Sequence, residues 1–378
     1  MNSNLIANNK IPILVGIFLF FLCIYTYICF FCVSDLSLHV DLALNKLQQN
    51  RLFKGNFILY FLMHLFSFFS INKVLVGISL SVLLAMATSL RIYILKEHFQ
   101  SSGMQDCPSW IFSLSTVFLF VVPLFFVFSC WYKGFYVPNV WHNSTTIFLF
   151  PFAILLYLAS LHIFERKEIP NRTIAWLVFL VFCNVFIKPS FFFVWCVAYP
   201  IILLSLHKFT ANFWKGLIPL FCGLVFLAIE YLSIYNNASD GSYVYFDFSW
   251  VLDYTFYRYK MPRILWSLFF PLLCVCRYGK SMVKDREFWF LCIMLIMSLG
   301  VYFTIHEGGP RSTHGNFYWQ IIMTTNLCFV YSLRKVLAEI TNNSKKMIGF
   351  VYEIIYLLHV FGGIMYLLYF LISKEYMC

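Results

Sequence analysis

Charge is what this chain has least of. Only 11% of its 378 residues are Asp, Glu, Lys or Arg, 16 acids against 27 bases, where soluble domains carry roughly 25%. No stretch is polar enough to form a sizeable soluble domain. The sequence also lacks a Walker motif, a GxGxxG turn, an HExxH pair and a nucleophile elbow, which leaves no site for cytosolic nucleotide chemistry or for zincin or elbow hydrolysis. The 13 cysteines show no CxxC or Cys/His metal spacing. Cys23, Cys29, Cys32, Cys183, Cys222 and Cys292 lie inside apolar runs and read as small apolar helix residues. The net charge of +11 sits in short loops between apolar runs. It therefore reads as a topology signal, and no nucleic-acid partner is expected.

What the chain does have is apolar: 61% hydrophobic, 21% aromatic, with a mean hydropathy of +0.79. Runs of about 17–25 apolar residues recur from end to end, each long enough to cross a bilayer. This predicts an all-α polytopic membrane protein, residues 1–378 forming one integral-membrane domain with the lipid bilayer as its first partner. The expected spans are 11–33, 74–95, 111–132, 145–163, 174–187, 190–206, 215–236, 264–276, 288–304, 318–335 and 348–372. The first run is too long for a signal-peptide core and has no small-x-small cleavage site before Ser34, so it is expected to be retained. The run 174–206 is too long for one crossing. Lys188-Pro189 breaks it, because proline removes a helix donor and disfavours helix in the residue before it. A tight hairpin with Lys188 at its tip is predicted.

The stretch "FILYFLMHLFSFF" (57–69) is short for a span and has His64 in its middle, so it reads as re-entrant or interfacial. The charges support that. With 57–69 not crossing and the N-terminus in the cytoplasm, sixteen of the 27 bases face the cytoplasm: Lys10, Arg91, Lys96 and those of 166–172, 208–215, 277–286 and 334–346. With 57–69 crossing, only nine of the 27 do. The positive-inside rule favours the first arrangement: about eleven spans, N-terminus in, C-terminus out. One outer face then receives "SDLSLHVD" (34–41), "YVPNVWHNS" (136–144), the Lys188 tip, the loop 237–263 and "HEGGPRSTHGNFYW" (306–319).

These segments hold the candidate chemistry. Asp35 and His39 are four apart and share a helix face; Asp41 lies about a third of a turn away. Leu36, Val40, Ala43, Leu44 and Leu47 form an apolar stripe opposite Asn45, Gln48 and Arg51, so 34–73 reads as an extracytoplasmic interfacial loop carrying an amphipathic helix. A carboxylate there can deprotonate a sugar hydroxyl or hold a divalent cation, and Ser34 or Asp35 can equally be a helix cap. Glu307, Arg311 and His314 sit in a Gly-Pro-rich loop, where Arg311 suits bidentate phosphate binding; the plainer reading is a hydrated turn. Lys188 can hold a phosphate at the bilayer edge or simply snorkel. Trp141 suits an interfacial anchor or a sugar-stacking platform. His142 and Asn143 can bond hydroxyls, and Asn143 or Ser144 can cap the next helix. Glu230 is an intramembrane carboxylate, a type usually paired or functional. Tyr243, Tyr245, Trp250, Tyr254, Tyr257 and Tyr259 make the loop 237–263 aromatic, which suits carbohydrate or lipid.

This layout resembles the GT-C superfamily of integral-membrane glycosyltransferases, which combine many spans, an acidic residue just after span one, interfacial helices in that first loop, and basic residues that hold a lipid phosphate. The resemblance implies transfer from a polyprenyl-phosphate-linked sugar donor to a glycan or glycolipid acceptor on the extracytoplasmic face. Asp35 and Asp41, with His39 between them, occupy the acidic place. Trp141, His142, Asn143, Lys188, Glu307, Arg311 and His314 are then expected around the substrate. "PNVWHN" and "EGGPR" are also similar to segments of membrane proteins encoded with bacterial surface-polysaccharide pathways. Three other readings stand beside this one. An O-antigen or capsule polymerase would join polyprenyl-diphosphate-linked repeat units and use Arg258, Lys260 and Arg263. A lipid-linked sugar flippase would need midplane polar groups and internal repeats. A membrane acyltransferase would use His64 or His142 as its base.

Overall fold

In a bilayer each backbone N–H and C=O must be satisfied within its own segment, so apolar runs of this length become helices. The computed structural model describes residues 10–122, 135–235, 241, 243–312, 315–341 and 346–375. Its helices are α1 (Lys10–Phe31), α2 (Asp35–Gln48), α3 (Phe57–Phe66), α4 (Lys73–Ser101), α5 (Asp106–Ser115), α6 (Ser144–Phe164), α7 (Asn171–Ile187), α8 (Ser190–His207), α9 (Ala211–Gly216), α10 (Ile218–Tyr235), α11 (Met261–Ser267), α12 (Phe269–Met282), α13 (Arg286–Thr304), α14 (Trp319–Thr341) and α15 (Lys346–Ser373). Among the described residues, eight helices are long and apolar enough to cross a membrane. The protein is a multi-pass, all-α membrane protein.

The eleven expected spans map unevenly onto this bundle. The region 264–276 is a pair of short helices bent by 69°, with the break at Leu268. Pro271 falls in the first turn of α12, where its missing N–H costs no bond. Helix α7, at 17 residues, lies at the lower limit of spanning length. The run 111–132 begins in α5 but continues into 123–132, outside the described residues. The segment 57–69 forms only the ten-residue α3, and His64 is fully buried there with Nε2 on the Ala43 carbonyl at 2.9 Å. Helix α2 forms as the apolar stripe predicts and buries Leu36, Val40 and Ala43.

Helix α1 packs on α4, α4 on α6, α6 on α7, α7 on α10, and α8 on α13. Large aromatic side chains fill the centre, with Trp195, Tyr25, Tyr157, Tyr199 and Tyr356 fully buried. The alternation of helices gathers the ends of α1, α7, α10, α13 and α15 with the starts of α4, α6, α8 and α14. A backbone bridge from Val33 to Glu375 and the bond from Asn143 to Asp35 tie that end together. It is called here the cavity end, and the opposite one the paired end.

Two findings depart from the sequence reading. Strand β1 (Tyr243–Phe246) pairs antiparallel with β2 (Ile305–Gly308), in register Tyr243↔Gly308 and Phe246↔Ile305. Aromatic and β-branched residues suit a strand, and a Cβ on Gly308 would sit 2.4 Å from the Tyr243 ring, so only glycine admits that ring. Arg91 is the second departure. The charge count assigns it to the cytoplasmic face, yet it lies inside α4, ten residues or about 15 Å from the helix end. Buried at 3% exposure, it donates to Asn139 Oδ1 at 2.8 Å and to the Thr116 carbonyl at 3.0 Å, and its guanidinium lies 3.9 Å from the centre of the Phe150 ring.

Candidate functional site

The site is built around the Lys188-Pro189 break. Helix α7 ends at Ile187 and α8 starts at Ser190, with Lys188 extended between them. Its side chain does not snorkel. It is 6% exposed and turns inward to the first turn of α6, donating to Asn143 Oδ1 (3.1 Å), Thr145 Oγ1 (3.0 Å) and Thr146 Oγ1 (3.3 Å). The ammonium lies 4.3 Å from the centre of the Trp319 ring. All these partners are neutral. Asn143 organises them: its Oδ1 caps α6 by accepting the Thr146 N–H at 3.0 Å, accepts the Thr145 hydroxyl at 3.0 Å, and its Nδ2 donates to Asp35 Oδ2 at 2.8 Å. Asp35 is thus one side chain removed from the cation.

A buried lysine at a helix N-terminus is held against its own preference, because the helix end is itself partly positive. Burial pulls the Lys188 ammonium down to about 7, partly opposed by the charges of Asp35 and Glu307. His39 and His142 are also pushed down, to about 4 each, first by burial and then by the nearby Lys188 charge, with Asp35 opposing. Both imidazoles are therefore neutral near pH 7. His39 Nδ1 lies 2.6 Å from the Tyr60 hydroxyl, and the His142 ring meets the Trp319 ring edge to face at 6.1 Å.

Lys188 borders a cavity of about 490 Å³. Its walls are mostly apolar, from Phe193, Leu224, Leu227, Ile234 and Phe317, and its polar groups are Lys188, Asn56, Ser190, Glu230, Glu307 and Asn316. Glu230 Oε1 accepts the backbone N–H of Asn56 at 2.7 Å, fastening the α2–α3 loop to α10. Glu307 Oε2 accepts from Asn316 Nδ2 at 2.6 Å.

The structure therefore brings together Asp35, His39, His142, Asn143, Lys188 and Glu307. It separates others. Asp41 points away and pairs with Lys73 at 2.6 Å, both half-exposed. Asp35 and Asp41 thus do not converge on one point, and among the described residues no group of three His, Cys, Asp or Glu side chains could hold a cation. Trp141 offers no stacking face to a sugar. It is 1% exposed and packs on Phe21 (6.0 Å), Phe118 (5.5 Å) and Tyr25 (6.3 Å). The whole stretch 135–143 is buried rather than displayed at an interface. The Arg311 side chain and all of His314 lie outside the described residues. Thr145, Thr146, Trp319 and Tyr60 escaped the sequence reading. The first two follow a capping asparagine, where their hydroxyls read as cap chemistry. The other two look like ordinary apolar-run aromatics.

No protein-family model, no curated protein and no solved structure matches this chain.

Proposed function

We propose that this protein is a membrane glycosyltransferase that takes a polyprenyl-phosphate-linked sugar from the bilayer into the cavity beside Lys188. The observation that carries the reading is the cavity's mixed lining, with apolar walls, one buried cation that makes no ion pair among the described residues, and carboxylates. Apolar walls suit an isoprenoid. A desolvated cation at a helix N-terminus suits a phosphate. Carboxylates beside that cation suit a substrate that also carries hydroxyls and a proton to be moved, which simple anion carriage would not need. On this reading Asp35 is a positioning residue: it holds Asn143, and Asn143 aims Lys188. The acceptor is a glycan or glycolipid, and the protein works on the extracytoplasmic face of a bacterial inner membrane, with eleven spans and a cytoplasmic N-terminus.

The deciding experiment incubates the purified protein in nanodiscs with undecaprenyl-phosphate hexoses and with undecaprenyl-diphosphate-linked oligosaccharides, and follows sugar transfer by mass spectrometry. Turnover of the monophosphate donors is expected. Turnover of the diphosphate donors alone would favour a polymerase, a reading for which the exposed Arg258 and Lys260 speak. Turnover of neither would end the enzymatic reading. Orientation has its own test. In a background without native cysteines, single cysteines at the exposed positions Ser312 and Tyr254 should react with impermeant thiol reagents from outside, and those at the exposed positions Glu168 and Ser281 should not. The reverse pattern would place the cavity on the cytoplasmic side.

A further inference from the structure

A second, smaller cavity of about 140 Å³ lies beside the first. Ile305, Glu307, Asn316 and Phe317 border both, so these four residues, backbone and side chain together, stand between the two spaces. The two spaces differ in chemistry. The large one is chiefly apolar and holds Lys188. The small one is lined by Tyr245, Tyr302, Tyr318, His306 and Ser312. Its rings come in pairs, Tyr245 with His306 at 5.6 Å and Tyr302 with Tyr318 at 5.5 Å. Aromatic faces mixed with hydroxyls are what a sugar ring needs, apolar C–H faces on one side and hydroxyl bonds on the other. Its volume corresponds to roughly five waters, the scale of one sugar ring.

The acids sort themselves by these cavities. Asp35 and Asp41 border neither. Glu230 borders only the large one. Glu307 alone among the described acids borders both. It is buried at 7% exposure, its backbone is held in β2 opposite Val244, and its carboxylate is oriented by Asn316. A base that serves a reaction between a lipid-borne donor and a sugar acceptor must reach the acceptor hydroxyl while facing the donor's reacting carbon. No other described carboxylate stands in such a place.

Resting on the glycosyl-transfer reading, we propose that the small cavity is the acceptor-sugar subsite and that Glu307 is the catalytic base. The acceptor hydroxyl oxygen attacks the anomeric carbon of the donor. A new carbon–oxygen bond forms there as the bond from that carbon to the phosphate oxygen breaks. The electron pair leaves with the polyprenyl phosphate, beside Lys188. The hydroxyl proton passes to the Glu307 carboxylate and then to water once the product departs. The first loop, through Asp35, sets the donor's anchor, and the β2 segment performs the proton transfer.

The test uses full-length protein in nanodiscs with undecaprenyl-phosphate hexoses as donors and undecaprenyl phosphate alone as the binding probe. Glu307→Gln keeps an oxygen for Asn316 and loses basicity. It should lower transfer at least about 10²-fold while binding undecaprenyl phosphate within about twofold of wild type. Ser312→Trp, filling the small cavity, should raise the acceptor KM about tenfold and leave the donor KM unchanged. Transfer by Glu307→Gln above about a third of the wild-type rate would overturn the base assignment. So would loss of undecaprenyl-phosphate binding in that variant, which would mean that Glu307 holds the fold or the donor. An unchanged acceptor KM in Ser312→Trp would overturn the subsite. Wild-type protein that transfers no sugar at all would instead strike the glycosyl-transfer reading, and this proposal with it.

Discussion

The two ends of the bundle handle charge in opposite ways. At the paired end, carboxylates and cations meet directly: Arg334 with Glu287 at 2.9 Å, Lys335 with Asp285 at 2.7 Å, Arg277 with Glu339 at 3.0 Å, and Lys96 with Asp106 at 2.9 Å. Tyrosines complete the network, with Tyr157 donating to Glu287 at 2.7 Å and Tyr331 to Asp285 at 3.0 Å. At the cavity end, Lys188 and Asp35 are kept apart by Asn143, and two carboxylates, of Glu230 and Glu307, face a void with that lysine. Paired charges satisfy one another and lock helix ends. A buried cation held off from its nearest carboxylate beside a cavity, as Lys188 is, costs stability and retains its power to act on something else.

Exchanging the central cation at each end for an apolar side chain should break the symmetry most sharply. Lys188→Met is expected to reduce sugar transfer about 10²–10³-fold, the scale of losing one charge-stabilising group, with the melting temperature unchanged or raised, because a buried cation that makes no ion pair among the described residues is removed. Arg334→Met should do the reverse. It leaves Glu287 without its cation and should cost about 3 kcal/mol, the low end for breaking a buried pair, since Arg334 keeps some water contact. Its donor KM should not change. Thermal denaturation in detergent, set beside the transfer assay, separates the two outcomes. A Lys188→Met protein that melts early but transfers normally would erase the distinction between the ends.

A smaller effect is expected from pH. The Lys188 ammonium of the empty site is held near 7 by burial, so it is charged below that pH and neutral above it. Affinity for a phosphate donor should therefore be highest below pH 7 and fall by up to about tenfold per unit as pH rises through 7. Stability moves the other way. The folded site releases its proton at lower pH than the unfolded chain, so the burial penalty of the cation fades between about 7 and the ordinary lysine value. Lys188→Arg, whose guanidinium stays charged, should flatten the affinity profile. An equally steep profile in that variant would assign the titration to another group.

The smallest effect belongs to the exposed pairs, one at each end. Lys73–Asp41 and Lys10–Glu97, at 2.6 and 3.5 Å, are water-accessible. Lys73→Gln and Lys10→Gln should each shift stability by less than about 0.5 kcal/mol. Equal, negligible shifts would show that burial separates the two ends, and charge as such does not.

Much of the fold was legible because a bilayer asks so little of a sequence: long apolar runs, a breaker at Lys188-Pro189, and a stripe over 36–47 for α2. The capping role of Asn143 was legible too, since asparagine before a Ser-Thr-Thr run is a strong N-cap signal. The site was only half legible. Asp35, His142, Asn143, Lys188 and Glu307 stood out as polar groups in apolar surroundings, but nothing in the spacing distinguished Asp35 from Asp41, or Trp141 as core from Trp141 as platform. A residue's type and local period do not say which neighbour will cover it.

The sequence by itself determined the membrane class, the helical character and the crowding of polar residues toward particular loops, because these follow from local transfer free energies and backbone satisfaction. Only the tertiary structure decided which of those residues share a space. Lys188 and Asn143 lie 45 positions apart, yet they meet because α6 and α7 pack side by side. Glu307 becomes the partition between two cavities because β1, more than fifty residues upstream, pairs with its strand. Those contacts depend on how whole helices lean together, and no local run of residues encodes that.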